Sequence, residues 1–249
     1  MNHIEHHSNQ LRHHLAQAGN PDVASSTQRF FTHQIKCLGI SNGDVMTIAD
    51  DYLKAHPELT PQCRLDLTER LLAKGEYHEE IMLGFALIRK VVKRHFDDGL
   101  LKRFHFWLER YVSNWAQCDD LCLKVIYPFF LSRAHLITQA ANWIESESIW
   151  CRRAGNVALA KFVQRKISRD IYHLPLHIVF ENSQKLLDDP EPYVQKSVGW
   201  LLKETTKYHK DAVVCFIKEN MANMQRLTLR YAIERLDPSE RKTILALQP

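Results

Sequence analysis

Ile149-Trp-Cys-Arg-Arg-Ala-Gly-Asn-Val-Ala-Leu159 places a pair of arginines ahead of small and apolar residues at helical spacing, and the same phrase returns twice further along the chain. The other copies are Tyr193-Val-Gln-Lys-Ser-Val-Gly-Trp-Leu-Leu202 and Gln225-Arg-Leu-Thr-Leu-Arg-Tyr-Ala-Ile-Glu-Arg-Leu236. Aligning Arg153, Lys196 and Arg230 gives spacings of 43 and 34 residues, and a step of 34 back from Arg153 lands on Asp119. Repeats of this length are stacked helix pairs, each burying its apolar face against the next. Residues of equal phase then line one surface. Asp119, Arg153, Lys196 and Arg230 are expected along it.

Outward from these copies, the periodicity predicts amphipathic helices over residues 77–96, 100–112, 121–132, 135–144, 149–164, 175–187, 192–207, 211–221 and 226–236. Upstream, Ser41 and Asp44 resemble a capping box, and Thr60-Pro61 reads as an N-cap followed by proline at the first helical position, with closure at Gly75. No segment argues for a sheet. Glycine and proline, at 8 and 9 residues, are scarce, which disfavours strands joined by tight turns. The expected fold is therefore all-α, a curved superhelical array of HEAT-like helical repeats (an α-solenoid). It is read as one domain over residues 1–249, with a polar helical segment at about 1–20.

At 45% apolar and 25% charged residues the chain can bury a core without metal or disulfide staples. Its longest apolar stretches, such as residues 125–131, are near seven residues and include Pro128, against about 20 for a membrane span. Residues 1–10 are polar and histidine-rich and lack the apolar centre of a secretory signal. Six scattered cysteines without close pairs fit a reducing compartment. A monomeric cytoplasmic protein is expected, with no cofactor. No Cys or His spacing along the sequence resembles a zinc cluster, so no metal is expected either.

The formal charge of +4 is small, but it is unevenly spread. Residues 150–210 hold eleven Lys or Arg against six Asp or Glu. One basic region on a nearly neutral chain is the pattern of a protein that meets a phosphate backbone. Within Asn114-Trp-Ala-Gln-Cys-Asp119, Trp115 and Asp119 stand four apart, so a helix would put an indole and a carboxylate on one side. Lys196 and Trp200 repeat that spacing. A tryptophan in a repeat protein is ordinarily core and an aspartate near a helix start ordinarily a cap. Their coincidence with a basic repeat phase favours a functional surface.

Arg29-Phe-Phe with Leu38-Gly-Ile, Asn114-Trp-Ala-Gln-Cys-Asp, Ile149-Trp-Cys-Arg-Arg-Ala, Val194-Gln-Lys-Ser-Val-Gly-Trp and Leu229-Arg-Tyr-Ala-Ile together resemble, in order and spacing, the AlkD-like DNA alkylation repair glycosylases. The resemblance runs from about Arg29 to Leu236. It implies that Trp115 and Trp200 are groove tryptophans, Asp119 the catalytic carboxylate and Arg153 a phosphate contact. Lys161 and Lys203 fall where the family is also basic, and Lys196, Arg230 and Arg29 join them as expected DNA contacts. The implied partner is double-stranded DNA carrying alkylated bases, with the lesion left in or near the stack. Phe30, Ser41, Ala116 and Cys118 depart from the family pattern and bear on substrate range more than on the reaction.

The implied chemistry suits these residue types. An N3- or N7-alkylated purine is cationic and departs as a neutral base, so no general acid is needed. Positive charge develops instead on the deoxyribose, as in other glycosidic cleavages. One carboxylate can stabilise it and orient the attacking water. Indole faces attract cations at about 0.5 to 2 kcal/mol. Two other readings of the same sequence stay open: a non-catalytic binder of branched or damaged DNA, and a protein-interaction scaffold.

Overall fold

A computed structural model describes residues 3–247; residues 1 and 2 of the expected N-terminal segment, and the chain's last two, lie outside the described residues. The chain divides into two compact units, Met1–Phe129 and Phe130–Pro249. Both are helical.

The first unit contains α1 (His3–Ala18), α2 (Pro21–Thr27), a 3₁₀ turn at Gln28–Phe30, α3 (Asn42–Ala55), α4 (Pro61–Lys74), α5 (His78–Ile88), α6 (Leu100–Arg110), α7 (Trp115–Asp120) and a π-helix at Leu121–Ile126. The boundary between the units falls within α8 (Tyr127–Phe130). Short polar side chains open these helices as the sequence leads one to expect. Ser41 accepts the Asp44 N–H, and Thr60 accepts that of Cys63 ahead of Pro61. Asn20, ahead of Pro21, accepts from Asp22 and Val23. Each cap contributes about 1 kcal/mol by satisfying a donor the helix leaves unpaired.

Leu11 and Leu15 of α1 are fully buried among Val45, Ala49 and Tyr52 of α3, Leu67 and Leu71 of α4, and Leu83 and Leu87 of α5. Each such side chain stabilises the unit by roughly 1.5–3 kcal/mol. Helix α5 is buried from Glu79 to Ile88, so it is the central element and its own N-terminus lies inside the protein. The buried Glu79 carboxylate there accepts three backbone N–H groups of the 38–40 loop: Leu38 at 2.8 Å, Gly39 at 2.8 Å and Ile40 at 3.2 Å. Gly39 has φ +79°, and a Cβ on it would stand 2.1 Å from the Asn20 carbonyl oxygen. Only glycine fits, by conformation and by space.

The second unit contains a 3₁₀ helix at Ala134–Glu145, α9 (Ile149–Ala160), β1 (Gln164–Ile167), β2 (Asp170–His173), α10 (Leu176–Lys185), α11 (Pro192–Glu219), α12 (Arg226–Ala232) and α13 (Pro238–Leu247). The three repeated phrases fall on α9, α11 and α12, and α11 packs against both of the others. Asn156 of α9 donates to Ser197 of α11, and Thr228 of α12 donates to the Gln195 carbonyl, all of them buried. Buried polar groups thus satisfy one another across successive helices.

The expectation that no segment forms a sheet is corrected here. β1 and β2 pair antiparallel, with Gln164 opposite His173 and Ile167 opposite Asp170, and Ser168 takes φ +56° in the turn. The helix expected over 149–164 stops at Ala160. Phe162, Val163 and Leu174 bury the base of the hairpin, where the Leu174 N–H reaches the Phe162 carbonyl at 3.1 Å. The strands themselves are mostly polar, so no period-2 apolar alternation announced them. Other boundaries shift too. The helices expected at 192–207 and 211–221 stand as two within α11, parted at His209, whose φ −140° and ψ 50° are not helical, whereas residues 135–144 lie in a 3₁₀ rather than an α-helix. The helix expected over 77–96 ends as α5 at Ile88, and 121–132 divides into the π-helix and α8.

Candidate functional site

In the first unit the site residues are built around the start of α7. Asn114 caps it, accepting the Gln117 N–H at 3.0 Å, while its own amide lies 3.2 Å from His78 Nδ1. An amide donating to Nδ1 selects the neutral imidazole with its proton on Nε2. Burial lowers the His78 pKa from the ordinary histidine value, against the opposing pull of Glu79 and then Asp120.

Trp115 is half-buried on the first position of α7. Its ring stacks on Phe31 at 5.7 Å between centroids and 26° between planes, and its Nε1–H donates to the Phe30 carbonyl at 3.1 Å. The Phe30–Phe31 segment is fastened from the other side by Gln28, which donates to the His33 carbonyl and accepts the Ile35 N–H. Phe30 itself is 72% exposed. A large apolar ring on a tied-down backbone is thereby presented to solvent, whereas in sequence Phe30 stood out only as a departure from the family pattern.

Asp119 is half-buried one turn beyond Trp115, on the same side of α7. Its neighbour Asp120 is buried and committed to structure: it pairs with Lys124 at 2.5 Å and accepts from Asn42 at 2.9 Å. Of the two adjacent aspartates, Asp120 is buried and Asp119 only half-buried. Immediately afterwards the backbone widens into the π-helix, a local departure that occurs often at functional sites. The sequence carried no signal for it.

In the second unit Arg153 is 5% exposed, and its Nη1 donates to the Tyr193 carbonyl at 2.6 Å. It is far more deeply held than the exposed Arg230 with which it was aligned. Lys196 lies half-buried over the Tyr193 ring at 5.4 Å. Trp200 is half-buried one turn further along α11. Lys203 pairs with Glu234 at 3.0 Å and lies over Tyr231. Lys161 is exposed at the end of α9, and Arg29 is exposed in the first unit. The hairpin adds Arg165, Lys166 and Arg169, all exposed and none singled out from sequence.

A cleft of about 480 Å³ in the first unit is lined by His33, Lys36, Tyr77, His78, Asn114 and Gln117, among others. Trp115 and Asp119 do not line it.

A sequence profile described as "DNA alkylation repair enzyme" matches residues 11–236. The chain belongs to the DNA alkylation repair enzyme family. Membership carries a role in the repair of alkylated DNA, and the AlkD-like resemblance of the motifs agrees with it. Among solved structures, a predicted DNA alkylation repair enzyme from Enterococcus faecalis is similar at TM-score 0.74 and 16% identity, covering 88% of this chain and 97% of its own. AlkD2 from Streptococcus mutans is similar at TM-score 0.58 and 16% identity, covering 91% and 99% respectively. At such identities the likeness establishes the fold alone. No curated protein matches the chain in sequence. Among the described residues no helix is long and apolar enough to cross a membrane, and the cysteines are free thiols.

Proposed function

We propose that this member of the family is a monofunctional DNA glycosylase of base excision repair. It hydrolyses the N-glycosidic bond of cationic N3- or N7-alkylated purines, 3-methyladenine and 7-methylguanine, in duplex DNA. The observation that carries the reading is the pairing on α7: a half-buried aspartate, Asp119, one turn from a half-buried indole, Trp115, whose ring is held by Phe31 and the Phe30 carbonyl.

Asp119 stabilises positive charge on the deoxyribose and orients the attacking water. Trp115 and Trp200 hold the cationic nucleotide by their ring faces. Arg153, Lys161, Lys196, Lys203, Arg230 and Arg29 neutralise phosphates and set register without reading sequence. The departing base is already activated by its own charge, so one carboxylate suffices. The enzyme acts as a monomer and needs no cofactor.

The test is base release from methylated duplex DNA. Wild type frees 3-methyladenine and 7-methylguanine, and Asp119→Asn, isosteric and uncharged, releases them on the order of 10²–10³-fold more slowly. Equal rates in the two proteins would overturn the catalytic assignment. Salt-dependent DNA binding with no abasic product from wild type would leave a binder of damaged DNA instead.

A further inference from the structure

The histidines at the start of the chain look like a solvated polar tail in sequence, but folding carries two of them to a loop about fifty residues away. His3 and His7 share one face of α1, four residues apart, a spacing at which helical histidines chelate metals. His56 caps the C-terminus of α3, and Glu58 follows it in the turn. Ligand atoms of His7, His56 and Glu58 all lie within 4.8 Å of one another. His7 Nε2 stands 3.1 Å from His3 Nε2, and His56 Nδ1 stands 2.9 Å from Glu58 Oε1.

The proton inventory determines which nitrogen of His7 faces this cluster. Tyr52 donates its single hydroxyl proton to Gln10 Oε1 at 2.6 Å. The phenol oxygen, 2.6 Å from His7 Nδ1, therefore accepts from that nitrogen. With Nδ1 protonated, the neutral ring carries its lone pair on Nε2, the atom that points at His3. A metal-binding histidine is commonly oriented in this way, its second nitrogen donating to an outer oxygen. His7 is 3% exposed, so the lone pair is aimed from inside the protein.

We propose that His3, His7, His56 and Glu58 form a structural site for a zinc-type divalent ion that clasps α1 to the end of α3. Three imidazoles and a carboxylate are a zinc donor set, with Zn–N near 2.0–2.1 Å, so neighbouring donors on a tetrahedral ion stand about 3.3 Å apart. The 3.1 and 2.9 Å separations are close to that edge. His7, His56 and Glu58 supply three donors already within 4.8 Å of one another, and the exposed His3, 3.1 Å from His7, is the fourth that has to turn toward them. The clasp secures the helix that inserts Leu11 and Leu15 into the core of the first unit. None of its residues is among those proposed for catalysis.

The experiment is Zn(II) titration of the full, chelator-stripped chain against a chromophoric competitor, with Co(II) as a spectroscopic substitute and thermal unfolding alongside. One equivalent of Zn(II) binds, Co(II) gives the intense visible bands of a tetrahedral site, and the unfolding midpoint rises with metal. Glu58→Gln and His56→Gln, both outside the core, each weaken Zn(II) binding at least tenfold while circular dichroism stays native. Tyr52→Phe removes the orienting oxygen and weakens it about 10–100-fold. His13→Gln, an exposed histidine of the same helix outside the cluster, leaves it unchanged. No stoichiometric Zn(II) binding would overturn the proposal. So would affinity unaltered in Glu58→Gln and His56→Gln, or lost equally in His13→Gln, which would mark diffuse binding to a histidine-rich helix.

Discussion

Replacing Gly199 by alanine tests how closely α11 and α12 approach beside Trp200. A Cβ built on Gly199 would lie 2.4 Å from the Cβ of Tyr231, 2.8 Å from the Thr228 carbonyl oxygen and 3.4 Å from the Ala232 nitrogen. The first two cannot be relieved by a rotamer change, because one is attached directly to the backbone and the other belongs to it. Carbon atoms rest at about 3.5–4.0 Å, so the helices must separate by roughly 1 Å at this point. Overpacking of this kind costs about 1–3 kcal/mol, and a contact with backbone belongs at the upper end. Alanine recovers about 0.8–1.0 kcal/mol of helix propensity over glycine. The net expectation is a loss of about 1–2 kcal/mol, or roughly 2–8 °C in unfolding midpoint at this chain length. Urea and thermal unfolding measure it. Gly43→Ala in α3 is the control, since the nearest atom to its Cβ is the Ser41 hydroxyl at 3.6 Å; it should be neutral or mildly stabilising. If Gly199→Ala proved as stable as wild type or more so, the packing argument for this glycine would be wrong.

Glu79→Ala leaves the Leu38, Gly39 and Ile40 N–H groups without their shared acceptor, and a loss of about 3–5 kcal/mol in urea denaturation follows at about 1–3 kcal/mol per stranded group. A loss under about 1 kcal/mol would show that water replaces the carboxylate. For His78 the unfolded chain takes up its proton near pH 6.5 and the folded chain only at lower pH. The unfolded state then holds more protons below that value, so this contribution is complete above about pH 6.5 and is lost as pH falls through the depressed folded value. His78→Gln should therefore flatten the decline of stability between pH 7 and 5, and parallel curves would count against it. Trp115→Phe keeps a ring over Phe31 but deletes the donor to the Phe30 carbonyl and weakens the cation-binding face. Single-turnover base release is expected to slow about two- to fivefold, the effect of about 0.5–1 kcal/mol; a loss as large as that of Asp119→Asn would give the indole a different role.

The helical class and the main helix starts were legible in sequence because they depend on local chemistry. Ser41 and Thr60-Pro61 cap where they were expected to, and the phrases around Arg153, Lys196 and Arg230 lie on helices that pack in succession. Asp119 and Trp115 could be placed on one helix face from their spacing alone. The sequence could not say which aspartate of the Asp119-Asp120 pair would be the buried one. That depended on Asn42 and Lys124, one of them 78 residues away. The hairpin at 164–173 escaped because its strands are stabilised by each other and by the buried Phe162 and Leu174 at its base, not by an apolar alternation of their own.

Composition, periodicity and capping residues, all short-range properties, determined by themselves that this chain is helical, and the family resemblance of its motifs named the candidates for chemistry. Tertiary structure alone decided burial and partnership. Arg153 became a buried donor to Tyr193 while Arg230 stayed exposed, and His7, His56 and Glu58 were gathered into one cluster, with His3 beside His7, from the two ends of a 56-residue stretch. Burial and hydrogen bonding depend on what long-range packing brings alongside a side chain, and spacing along the chain carries no record of that.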